Sequence, residues 1–320
     1  MVLWVWTRTF NAFIKMPLKC EKWVRIPFGP PFKKMIIKVI HSRAQKLFKK
    51  AIGQANHFLI TILIGLTEVA KGNTQKPVTM NVAWNPKDYR YSAIRSMRFA
   101  LNSSLAWAVD NLDAYIQMCR RKPCLINNEL LTKIDKADKS VYAKFQVLMD
   151  QYEGNEELNL YGALVALAIQ WRNVTTHTTA DNVLDEKYRK TLDSNAEWYL
   201  NNFRPLDVHI ALKRFGCHRN PSLKEVASMI KAISRFVEGI DLLLLRDIDL
   251  EKYALAVIDY QYSLNKRDGK QDQRVLLPTM KTERRINKIK TILENNGFVV
   301  SVDDGLEINE EFVSKVLERS

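Results

Sequence analysis

Residues Tyr161–Asn182 read YGALVALAIQWRNVTTHTTADN. Leu160, Leu164, Leu167, Ala168 and Trp171 recur at helical spacing, so the sequence predicts a buried helix from Glu157 to Trp171. Asn155 is placed to cap it, with Glu156 and Glu157 in the first turn, where carboxylates suit the helix dipole. Arg172, Asn173 and His177 then follow directly on the apolar run. A cationic and titratable cluster at the end of a buried element needs partners or a purpose.

The surrounding sequence is also helical in character. Gly and Pro are scarce, at 11 and 10 of 320 residues, and 47% of residues are hydrophobic. That composition favours helices over many short strands. Before the central stretch, a long amphipathic helix is expected from Tyr89 to about Arg121, and another helical region from Lys136 to Met149. After it, the pattern predicts helices over Val183–Phe203, from Leu223 to about Leu245, and from Leu250 to about Leu264. The fold class expected is mainly α, with a helical bundle over residues 88–265.

Residues 1–87 form an expected basic, aromatic arm followed by one helix. Within residues 1–50 there are twelve Lys or Arg and a single acid, Glu21. Lys33 and Lys34, with the aromatics around them, can track phosphates and stack on bases; the same residues also suit a membrane interface or packing onto the protein itself. Helical spacing begins near Ser42 and stops at Gly72. Inside it FLITILIGL (Phe58–Leu66) is about half the length a bilayer requires and reads as a buried helix. No stable membrane insertion is expected, and MVLWVW is too short for a signal core. At the other end, residues 266–320 are expected to be a linker and a small α/β unit. That unit comprises a helix over 282–296, a hairpin of strands 298–302 and 306–308, and a final helix from Glu310, resembling part of a winged helix.

The net charge of +14 favours a phosphate backbone or another anionic partner. Arg90, Arg95 and Arg98 sit in the first turns of the helix from Tyr89, where cations oppose the dipole, which hints at an anionic partner. Four cysteines are too sparse for a disulfide framework, and Cys119 and Cys124 have no second close pair for zinc. A reducing, cytoplasmic setting is the simple inference. There is no glycine-rich phosphate loop, no His-Glu-x-x-His and no Gly-x-Ser-x-Gly, which argues against an ATPase, a zinc protease or an α/β hydrolase.

Arg172-Asn173-Val174-Thr175-Thr176-His177, at the end of an apolar helix inside a helical bundle, resembles the signature of the HEPN superfamily. Those domains are all-helical, and many are metal-independent ribonucleases. A second pair with the same gap, Arg204 to His209, has Pro205 where the signature carries a polar residue. The resemblance implies a homodimeric endoribonuclease, a toxin or anti-phage defence effector, restrained or triggered by a protein partner. In it Arg172 would stabilise phosphate charge, His177 would move protons and Asn173 would position them. Arg90, Arg95, Arg98, Lys33 and Lys34 would gather RNA, and neither a metal nor a cofactor is called for. The competing reading is a non-catalytic, basic, helical nucleic-acid-binding or regulatory protein.

Overall fold

The structure is a computed structural model and describes residues 35–176, 182–203, 206–267, 276–302 and 304–319. The described residues form twelve helices and one small three-stranded sheet, so the chain is mainly α.

The central helix is α5 (Glu156–Thr176), and all ten residues from Gly162 to Trp171 are buried. A helix that is apolar on every side must be covered on every side. The cover comes from α2 (Tyr89–Arg120), α4 (Val141–Gln151), α6 (Glu186–Ser194) and α9 (Leu223–Arg246). The start is as read, with Asn155 accepting from the Leu158 amide at 2.9 Å. The end is not, because the helix continues five residues past Trp171. Thr175 Oγ1 donates to the Trp171 carbonyl at 3.0 Å, and Thr176 Oγ1 to that of Arg172 at 2.7 Å. These hydroxyls satisfy carbonyls near the helix terminus. Arg172 and Asn173 therefore lie within the helix rather than beyond it.

Two expected helices differ at their boundaries. The helix expected over Lys136–Met149 is α4, which starts at Val141, where Ser140 caps it by accepting from the Ala143 amide; the short α3 (Asn128–Lys136) before it was not expected. Val183–Phe203 resolves into α6 and α7 (Ala196–Asn202), parted at Asn195, whose side chain donates to the Thr191 carbonyl. A short helix, α8 (Val208–Gly216), follows with Asp207 as its cap.

The stretch Phe58–Leu66 is a correction of another kind. It lies in α1 (Arg43–Ala70), which packs along α2 through Phe48, Ile52 and Leu59. Phe58, Ile60, Ile62 and Ile64 are exposed, so the expected buried helix is apolar but largely uncovered.

The two ends of the described chain meet in the sheet. β1 (Ile36–Val39) lies between β2 (Phe298–Ser301) and β3 (Leu306–Glu307), antiparallel to both. Ile36 opposes both Ser301 and Glu307. The expected hairpin is thus opened by a third strand from the other end of the chain. Gly297 enters the sheet with φ +97°, and a Cβ there would stand 2.0 Å from the His41 carbonyl oxygen. The helices α10 (Leu250–Arg267), α11 (Thr282–Asn295) and α12 (Glu310–Leu317) complete this end, with Tyr253 of α10 stacked on Phe298.

A buried polar centre ties α1, α2 and α9 together. Asp241 of α9 has no exposed surface. It accepts from the Ser42 amide at 2.7 Å, from the Ser42 hydroxyl, and from the Tyr115 hydroxyl at 3.1 Å. Ser42 in turn caps α1 by accepting from the Gln45 amide.

Candidate functional site

Arg172 and Asn173 reach the wall of an open cleft of about 550 Å³. Its other walls are Asp110 and Asp113 of α2, Lys139 and Ser140 of the α3–α4 connection, Val141 and Tyr142 of α4, and Asn182. The packing of α2 and α4 on α5 creates this arrangement: α2 contributes Asp110 and Asp113, α4 Tyr142, and α5 Arg172 and Asn173 at the edge of the shared core.

The Arg172 guanidinium is already engaged. Its Nη2 pairs with Asp110, and its Nη1 donates to Asn173 Oδ1 at 3.1 Å. The pair is unequal in exposure, with the Arg172 side chain 20% and that of Asp110 59% accessible. Deeper in, Lys144 of α4 is almost fully buried and pairs with Asp113. With Lys139 on the rim, the lining itself carries two cations, Lys139 and Arg172, and two carboxylates, Asp110 and Asp113, so its formal charges cancel.

The floor near Asn182 is held by a phenol network. The Tyr142 hydroxyl donates to Asp185 Oδ2 at 2.7 Å, and that of Tyr188 to Gln146 Oε1 at 2.9 Å. Burial, and then the Asp185 carboxylate, push the Tyr142 phenol well above the ordinary tyrosine range. It stays neutral at physiological pH and acts as a donor that fixes the wall.

His177 follows the last residue of α5 and lies outside the described residues, as do Lys33, Lys34 and Arg204. His209, the histidine of the second pair, is exposed on α8 and lies 3.2 Å from Asp193. Arg90, Arg95 and Arg98 are exposed on the first turns of α2, with Arg95 over the Tyr91 ring. At 1.5 Å per residue they stand about 18–30 Å along the helix from Asp110, so they do not join Arg172 in the cleft. Among the described residues no group of three or more His, Cys, Asp or Glu is gathered to hold a metal ion.

Asp110, Asp113, Lys139 and Lys144 were not singled out from sequence. Asp110 and Asp113 are acids three apart on an otherwise amphipathic helix, a pattern with many solvent-facing instances. Nothing in the spacing connects them with Arg172, which is 62 residues from Asp110. No protein-family model, curated protein or solved structure matches the chain.

Proposed function

We propose that this cleft cleaves RNA without a metal ion, as the HEPN resemblance implies. One observation carries the reading. Arg172 and Asn173 line the same open polar cleft as Asn182, so residues on both sides of His177 in sequence converge there. The substrate's 2′-oxygen attacks the adjacent phosphorus while the bond from phosphorus to the 5′-oxygen breaks. A base takes the 2′-hydroxyl proton, and an acid delivers one to the departing 5′-oxygen. The products are a 2′,3′-cyclic phosphate and a 5′-hydroxyl. His177 serves in this proton transfer, the imidazole being the side chain suited to act as both base and acid. Arg172 donates to the phosphate oxygens as negative charge builds, and Asn173 orients its neighbour.

The bundle of α2, α4, α5, α6 and α9 is then HEPN-like, and α11, β2, β3 and α12 form a winged-helix-like appendage with β1 as an added strand. The protein acts as a cytoplasmic homodimer, a toxin or defence effector under the control of a protein partner. These assignments rest on the resemblance.

The test is cleavage of total RNA and transfer RNA in EDTA. Wild type is expected to cleave, His177→Ala to be inactive, and Arg172→Ala to be slower by about 10²–10³-fold. His209→Ala should match wild type. Activity that survives His177→Ala would overturn the assignment. A second reading has its own support, since the pairing of Arg172 with Asp110 gives the guanidinium a structural partner. In that case the protein is a non-catalytic nucleic-acid binder or regulator, and salt-sensitive RNA binding persists without cleavage.

A further inference from the structure

We propose that the outer half of the α1–α2 hairpin docks on an anionic lipid bilayer, lying in its surface rather than crossing it. This proposal is independent of the ribonuclease reading. From residue 60 to residue 99, Ala93 alone is buried. The exposed side chains in this half are nevertheless largely apolar. Phe58 is 60% exposed, Ile64 63% and Phe99 75%. Between α1 and α2 runs a groove of about 620 Å³ lined by Phe58, Ile62, Leu66, Phe99 and Trp107. A soluble surface scatters its exposed apolar groups, and a contiguous patch marks something that covers it.

Charge complementarity identifies the occupant. Residues 51–67 contain no Asp, Glu, Lys or Arg. Over residues 51–104 there are six cations, Lys71, Lys76, Lys87, Arg90, Arg95 and Arg98, against the two acids Glu68 and Asp88. Both acids are used locally, Glu68 by Lys71 and Asp88 as the cap of α2. The surface therefore offers apolar side chains beside uncompensated cations, the combination that anionic headgroups over acyl chains accept. Trp84 and Tyr89, in edge contact near the start of α2, add the amphipathic rings that favour a lipid–water boundary. Exposure also distinguishes a lipid from a single protein groove. Phe58 and Ile62 face one side of α1, whereas Ile60 and Ile64, about 160–200° round the helix, face the other.

By length and composition alone α1 is long and apolar enough to cross a bilayer, but spanning is disfavoured by its neighbour. That packing partner, α2, carries Arg95 and Arg98 alongside it, and charge is costly at that depth.

The experiment is flotation of the full chain with phosphatidylcholine vesicles, with and without phosphatidylserine. Wild type is expected to float with the anionic vesicles and to stay behind with the neutral ones. Phe58→Ser combined with Ile64→Ser, both at exposed positions, should lower partition at least about tenfold. Lys87→Gln with Arg90→Gln and Arg95→Gln should do the same, with helix content unchanged by circular dichroism. Three results overturn the proposal. One is wild type that does not float. Another is flotation that survives both hairpin variants but is lost in Trp4→Ser with Trp6→Ser. The third is an oligomer that falls to monomer in Phe58→Ser/Ile64→Ser without any flotation, which would assign the surface to a second copy of the chain.

Discussion

At the mouth of the cleft, Arg172 faces a carboxylate before it faces any substrate. Asp110 holds the guanidinium in place, and its negative charge also opposes an incoming phosphate. Asn at this position keeps an oxygen to accept from the guanidinium and removes the charge. At about 5–6 Å and near-aqueous screening, one like-charge pair amounts to about 1 kcal/mol. Asp110→Asn in a His177→Ala background is therefore expected to bind RNA about fivefold more tightly, read by anisotropy of labelled RNA at low salt. Weaker binding would mean that Arg172 does not meet the phosphate. Asp241 presents the opposite case, a carboxylate sealed from solvent. Burial raises its pKa above the ordinary 3.8, and the hydrogen bonds from Ser42 and Tyr115 offset only part of that. The folded state thus keeps a proton that the unfolded state releases near pH 4. Stability falls as pH rises from there through the raised folded value. Asp241→Asn should flatten that slope in urea titrations across the window. Asp241→Ala should cost about 2–5 kcal/mol, because Ser42 and Tyr115 lose their acceptor in a dry site. A slope unchanged in Asp241→Asn would assign the pH dependence to another group.

Among the elements, those legible in the sequence carry their own boundaries. Ser42 caps α1, Asp88 caps α2, and Ser222 with Glu225 forms a capping box at the start of α9. Each places a side-chain acceptor before an apolar run, and that signal is local. The start of α4 and the division between α6 and α7 were misplaced although each follows a polar run, 138–140 and 193–195, because a short polar run also suits an exposed helix face, and only the capping by Ser140 and Asn195 makes it a boundary. The site divides the same way. Arg172 and Asn173 were found from their spacing to His177, whereas Asp110 reaches Arg172 only through the packing of α2 on α5. Hydropathy likewise marked FLITILIGL as apolar without saying whether anything would cover it. The sheet shows why the C-terminal hairpin was misread, since β2 and β3 are close in sequence and their shared partner is about 260 residues away. Gly297 tests that arrangement. A side chain there would need both a left-handed backbone and the space occupied by the His41 carbonyl. Gly297→Ala is expected to lose at least about 2 kcal/mol by urea denaturation. A smaller loss would mean that this approach of chain to chain is not tight in solution.

For the molecule as a whole, the placement of charge matters more than its sum. The lining of the cleft around Arg172 sets two cations against two carboxylates, while Arg90, Arg95 and Arg98 stand about 18–30 Å away on an apolar hairpin. A single-stranded RNA seated at Arg172 and running along α2 would reach them, and so would an anionic bilayer lying against the hairpin. One set of cations cannot face both at once. Replacing the three arginines by Gln should reduce the slope of log K against log salt for single-stranded RNA by about two, since each phosphate contact contributes about 0.7. Cleavage of RNA already bound should be unaffected, because none of the three lines the cleft. Wild type should also lose RNA affinity when phosphatidylserine vesicles are added, and the triple variant should not. A slope that does not change on substitution would remove these arginines from the RNA footprint. If vesicles then still bind wild type without displacing RNA, the hairpin serves the membrane alone, and the nucleic acid approaches Arg172 from the opposite end of α2.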